Sequence, residues 1–152
     1  MFLMWLLLGC NQDDTIAIDQ QASRLIVTHN QKAFDQNQSN LNNGIIKSDP
    51  FGISSVTVVD QTLQVVVTYA GGCETHEFEL MWPEAITLIY PPDFGVILNH
   101  DSNRDPCEAF FVEILTFDLQ SNPLGLSDEE IRDMRITVVN GSNPEEEVSN
   151  HH

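Results

Sequence analysis

Between Ile53 and Val139 apolar residues recur at every second position, broken every several residues by Gly, Pro, Asn or Asp. That is the period of strands with one face on a core and the other in water. The pattern predicts strands at Ile53–Val59, Leu63–Tyr69, His76–Trp82, Ile86–Tyr90, Val96–His100, Ala109–Leu119 and Arg135–Val139. Turn chemistry separates them: Asp60 and Gln61 form a tight link, Gly71 and Gly72 permit positive φ, and Pro91, Pro92 and Gly95 make a longer turn. No long amphipathic helix is expected. One short helix is, because Ser127 and Glu130 stand three apart ahead of Ile131, the spacing of a capping box. Many short strands in one stretch predict an all-β fold, an antiparallel two-sheet sandwich with one short helix, the immunoglobulin-like arrangement being one form of it.

The ends of the chain follow other patterns. Residues 1–10, MFLMWLLLGC, are an apolar run too short to span a bilayer, which needs roughly 20 such residues. Its last four residues, Leu7, Leu8, Gly9 and Cys10, resemble the lipobox of bacterial lipoproteins. The resemblance implies a signal peptide over 1–9, a diacylglycerol thioether on Cys10, and acyl chains that hold the protein on a membrane of the cell envelope, at the outer membrane or cell surface. Asn11, Gln12, Asp13 and Asp14 are similar to the acidic export signal of surface-displayed lipoproteins. From Asn11 to Gly44, 12 of 34 residues are Asn or Gln, which reads as a solvated tether. A flexible chain of this length reaches roughly 30 Å. The expected organisation is a lipidated polar tether over 10–48, the sandwich over 49–142 and an acidic mobile tail over 143–152. Within the tether, Leu25–Thr28 could dock as an edge strand. The terminal His151 and His152 carry no expected function.

Charge narrows the partners. Lys plus Arg number 6 against 23 Asp plus Glu, a formal charge of −17. A phosphate backbone would be repelled, so nucleic acid is set aside as a partner. No G-x-S-x-G elbow or phosphate-cradling glycine loop is present, so the reading favours a binding or structural module, for a protein or small-molecule ligand, over an enzyme.

The candidate chemistry gathers at one rim. Strand phase places His76 with Phe78, Leu80 and Trp82, and His100 with Val96 and Leu98, so both imidazoles lie in register with core residues. If the two strands run antiparallel, the start of one meets the end of the other, with Cys73 and Cys107 close by in sequence. With Cys10 lipidated, Cys73 and Cys107 remain as an even pair in an oxidising compartment, and a disulfide between them is expected. Three further arrangements are compatible with the spacing. Cys73, His76, His100 and Cys107 make a set of two thiolates and two imidazoles suited to zinc. Alternatively the disulfide forms and His76 and His100 bind zinc or another divalent metal with Glu74, Asp105 or Glu108. Asp101, Asn103 and Asp105 also match the first three ligands of a calcium loop, but Pro106 and Val112 stand where that loop needs glycine and glutamate. A metal protein or an enzyme using this rim is therefore the alternative to the binding module, and no cofactor is otherwise expected.

Tyr69, Gly71, Gly72, Cys73, His76 and Phe78, followed by His100, Asp105, Cys107, Glu108 and Ala109 and then Phe117, Asp118 and Leu119, form a pattern similar to one in small uncharacterised bacterial lipoproteins. It spans about a third of the chain. The resemblance implies a secreted β-rich domain and transfers no catalytic residue.

Overall fold

The computed structural model describes residues 22–84, 90–120 and 125–150. The expected signal peptide, Cys10, residues 86–89 of one expected strand, and His151 and His152 lie outside the described residues. The elements in chain order are β1 (Arg24–His29), α1 (Gln31–Asn42), β2 (Gly52–Val59), β3 (Thr62–Gly71), β4 (Glu77–Trp82), β5 (Asp93–Asp101), β6 (Ala109–Asp118), α2 (Asp128–Asp133), β7 (Arg135–Asn140) and β8 (Asn143–Ser149). Eight strands form two sheets, ordered β1-β4-β5-β7-β8 and β2-β3-β6. The fold is an all-β two-sheet sandwich.

Alternation builds the core. Leu63, Val65, Val67 and Tyr69 of β3, with Leu115 and Phe117 of β6 beside them, face Phe78, Leu80 and Trp82 of β4, Val96 and Leu98 of β5, and Ile136 and Val138 of β7. Each large side chain so buried contributes roughly 1.5–3 kcal/mol relative to exposure. The link between β2 and β3 is the expected tight one: Asp60 and Gln61 both take positive φ, 46° and 65°, as a two-residue turn matched to strand twist demands. Ser127 and Glu130 form the expected capping box at the start of α2.

Four expectations are corrected. The sheets are not purely antiparallel and the pairing is not immunoglobulin-like, because β1 runs parallel to β4 and β5 parallel to β7. In the second case the chain leaves β5, crosses to β6 in the other sheet, and returns through α2 in the original sense. There are two helices among the described residues and not one, and the predicted tether is folded over residues 24–42. The amide-rich segment forms α1, capped by Asn30, whose side chain accepts from the Ala33 N–H. Phe34 and Leu41, seven apart, share one face and pack on Met81 and Ile97. These two residues lie on the outer face of the larger sheet, so β4 and β5 are buried on both faces there and carry consecutive apolar residues. The Leu25–Thr28 segment does dock as an edge strand, within β1. Finally, the acidic tail is β8. Strand alternation turns Glu145 and Glu147 outward, while Glu146 turns inward to accept from the Ile53 N–H at 3.3 Å and from Asn140 Nδ2. Val148 packs against the core beside it.

Candidate functional site

The rim where β3 ends, β4 begins and β5 ends holds the chemistry. Antiparallel pairing of β4 with β5 sets Phe78 opposite His100, which brings His76, two residues earlier, beside the same ring. His76 Nδ1 lies 2.8 Å from His100 Nε2, as the strand phase anticipated. Both imidazoles are buried, 3% and 4% exposed, so a reacting group would not reach them unless the rim opened. Their surroundings are aromatic: Tyr69 sits 4.6 Å from the His76 ring, and Phe78 stacks on His100 at 4.5 Å between centroids.

Asp105 organises the loop side. Gly72 takes φ +121°, which turns the successive N–H groups of Gly72, Cys73 and Glu74 inward onto Asp105 Oδ2 at 2.7, 2.9 and 3.0 Å. This is an anion-binding nest filled by the chain's own carboxylate. Oδ1 accepts from the Cys107 N–H at 2.8 Å, and His76 Nε2 approaches Oδ2 at 3.1 Å. Desolvation would raise the Asp105 carboxyl, but the N–H groups of Cys107, Glu74 and Cys73 and the imidazole outweigh it and hold the acid well below the usual range. Cys73 and Cys107 are disulfide-bonded, with Cα atoms 5.8 Å apart, so the bridge spans the two segments that clasp this carboxylate.

The proton inventory of the row follows. An ionised Asp105 accepts from His76 Nε2, one proton is shared across the 2.8 Å contact between His76 Nδ1 and His100 Nε2, and His100 Nδ1 is buried beside the Asp49–Pro50 backbone with no well-formed hydrogen bond among the described residues. Burial and then the neighbouring His76 push the His100 pKa down against the pull of the Asp49 backbone and carboxylate and of Pro50. The unfolded state therefore binds a proton near pH 6.5 that the folded state resists, so stability falls as pH drops below that value. Asp105, with its acidity increased, contributes in the same direction: its stabilisation is present above roughly pH 4 and is lost below. Imidazole proton shifts followed by NMR should place the His100 midpoint below about 6.5. Denaturation midpoints that rise on acidification from neutrality would contradict this.

The metal readings fare differently. The two sulfurs are bonded to each other, so the zinc set of Cys73, His76, His100 and Cys107 is corrected: its thiolates are not available. Among the described residues the one clustered group of three candidate ligands is Cys73, Asp105 and Cys107, which contains those same sulfurs. Glu74 and Glu108 are exposed, and of the three acids proposed for the histidines only Asp105 meets them. The calcium-like triplet is a turn: Asp101 accepts from the Asn103 N–H at 2.8 Å, and Asn103 and Arg104 take φ 52° and 60°.

Sequence reasoning missed two neighbours of the rim. Ser48 Oγ accepts from the His100 N–H at 2.9 Å, and Asp49 accepts from the Ser102 N–H and hydroxyl at 2.8 and 2.6 Å, which ties the segment after α1 to the end of β5. Tyr69 donates to Glu113 at 2.7 Å, and the same carboxylate receives the Ser23 hydroxyl and N–H at 2.7 and 3.0 Å. Burial, reinforced by the Glu113 hydrogen bond, pushes the Tyr69 phenol up to about 12. The signal for this clasp was legible, since Glu113 stands in the inward phase of β6 with Leu115 and Phe117.

No protein-family model matches the chain, and no curated protein matches it. Among solved structures, the chain is similar to a toxin-related protein from Parabacteroides distasonis, with a TM-score of 0.50 and 20% identity over 84% of this chain and 58% of that one. It is also similar to a protein of unknown function from Bacteroides vulgatus (TM-score 0.48, 15% identity, 84% and 54% covered) and to a NigD-like immunity protein from Bacteroides caccae (0.44, 14%, 78% and 51%). The chain thus spans little more than half the length of these neighbours. The first likeness shows the fold.

Proposed function

We propose that the protein is a binding or structural module held by lipid on Cys10 and presented outside the cytoplasm, at the outer membrane or cell surface. The observation that carries this reading is the sequence Leu7-Leu8-Gly9-Cys10 at the end of an apolar run. The Cys73–Cys107 bridge supports it, since stable disulfides belong to oxidising compartments. The burial of His76 and His100 supports a module over an enzyme: these rings close the end of the core, and their hydrogen bonds point into the molecule. Metabolic labelling with a palmitate analogue tests the anchor. The full chain should take up label and Cys10→Ala should not; equal labelling of the two would remove the anchor from the reading.

A further inference from the structure

The outer face of the three-stranded sheet is unlike the rest of this molecule. On β6, Phe110, Val112 and Ile114 are 73%, 56% and 59% exposed, which is the opposite of what an outward strand face in a strongly acidic chain presents. Register extends the same surface across β3 through Ala70, Thr68, Val66 and Gln64, and to Ser55 and Thr57 of β2. No charged side chain stands among these positions, although the chain carries 23 acidic residues. β6 is also the edge of its sheet: it pairs with β3 on one side, and among the described residues no strand pairs with the other.

Folded proteins blunt such edges with Lys, Pro, bulges or inward charges. Over its ten residues β6 has no Lys and no Pro, and it pairs with β3 in unbroken register. Its inward charge, Glu113, is already consumed by Tyr69 and Ser23. What remains among the described residues is a strand edge with no strand paired to it, approached at its middle by Ala22 and Ser23, beside alternating apolar side chains, and added strands use such a backbone edge for affinity and such side chains for specificity. The charges at its ends select the occupant. Glu108 just before β6 and Asp118 at its end are both exposed acids, Asp118 keeping its negative charge while it accepts from the Gln120 N–H at 2.8 Å. Antiparallel pairing of two copies about Glu113 would set Glu108 of each against Asp118 of the other, and would bring together two chains of −17. That disfavours a second copy and favours a cationic strand.

We propose that the β6 edge receives an extended segment of a partner protein as an added strand, with apolar side chains at alternate positions and Lys or Arg at its ends. The inference rests on the reading of the chain as a binding module and names its binding face. Val112 is then the central contact, and Glu108 and Asp118 fix the register of the incoming strand.

Two synthetic undecapeptides, matched to the eleven positions from Glu108 to Asp118, alternate threonine and valine between their ends, one ending in lysine at both ends and the other in glutamate, and provide the probes. They are added to the full chain in detergent, with binding read by fluorescence anisotropy and by hydrogen exchange of the β6 amides. The lysine peptide should bind at least tenfold more tightly and slow the exchange of amides within 109–118. Val112→Lys places a cation on an already exposed site, so it should weaken the lysine peptide at least tenfold with the melting transition unchanged. Equal affinity for both peptides, no binding, or indifference to Val112→Lys overturns the proposal. Protection of the unpaired β6 amides in the free chain also overturns it, with sedimentation at dimer or monomer mass assigning the edge to a second copy or to the chain's own residues 1–21. Because peptide binding needs no acyl group, loss of labelling at Cys10 with binding intact would remove the anchor alone.

Discussion

Replacing Cys73 and Cys107 together by alanine is expected to lower unfolding free energy by about 4 kcal/mol, the loop-entropy value for a 34-residue separation. The chain-entropy contribution is the larger part, since an uncrosslinked unfolded chain regains the freedom of the whole β4–β5 excursion. A native-state contribution adds to it. Cys73 and Cys107 each donate a backbone N–H to Asp105, one to each carboxylate oxygen, so the bridge holds both halves of the clasp at their working distance. Urea denaturation of the oxidised protein, the dithiothreitol-reduced protein and the double variant measures the effect. Reduced protein and variant should unfold together, well below the oxidised form. If the denatured, unreduced Cys10→Ala chain titrates two thiols, the bridge does not form and the expected loss disappears.

The parts of this fold that were legible in the sequence are those set by local rules. Strand phase placed Phe78, Leu80, Leu98 and both histidines on the core side, and β6, β7, the Asp60–Gln61 turn and the α2 capping box emerge where residue chemistry put them. The Cys73–Cys107 pairing followed from the expected compartment and the cysteine count. What failed did so because a tertiary partner decides it. Residues 31–42 carry two strong apolar positions, Phe34 and Leu41, amid amides, too few to announce a helix unless Met81 and Ile97 are known to offer an apolar outer sheet face. The Glu145–Glu147 run reads as solvated until a neighbouring strand gives it a period of two and Asn140 gives Glu146 a donor. Parallel pairing of β5 with β7 has no local signature at all, being a property of which sheet the intervening β6 joins. At the site, sequence found His76, His100, Cys73, Cys107 and Asp105, but not that Asp105 serves a backbone nest. That depends on Gly72 at φ +121° and on the loop returning from β5.

Gly71 is where the rim is least able to accommodate change, and Gly71→Ala is expected to destabilise the protein by about 2–3 kcal/mol, toward the upper end of the cost of overfilling a packed site. A Cβ there would overlap Nε2 of His76 and come within 3.0 Å of Asp105 Oδ2. The backbone at Gly71 is held by its place in β3 opposite Ala109, so the imidazole has to yield. Moving it breaks the contact with Asp105 and pulls Nδ1 from His100, leaving buried polar atoms unpaired. Gly95→Ala is the control, since that glycine also lies in a strand but has no atom within 4 Å of an added Cβ. In a strand, alanine at such a position restricts the unfolded chain and is neutral or mildly stabilising. Urea midpoints of the two variants, read together with the histidine ring signals, decide the matter. Gly71→Ala should lose stability and shift both the His76 and His100 resonances, while Gly95→Ala should do neither. Equal stability of the two variants would mean that the His76–Asp105 contact is not packed as tightly as described.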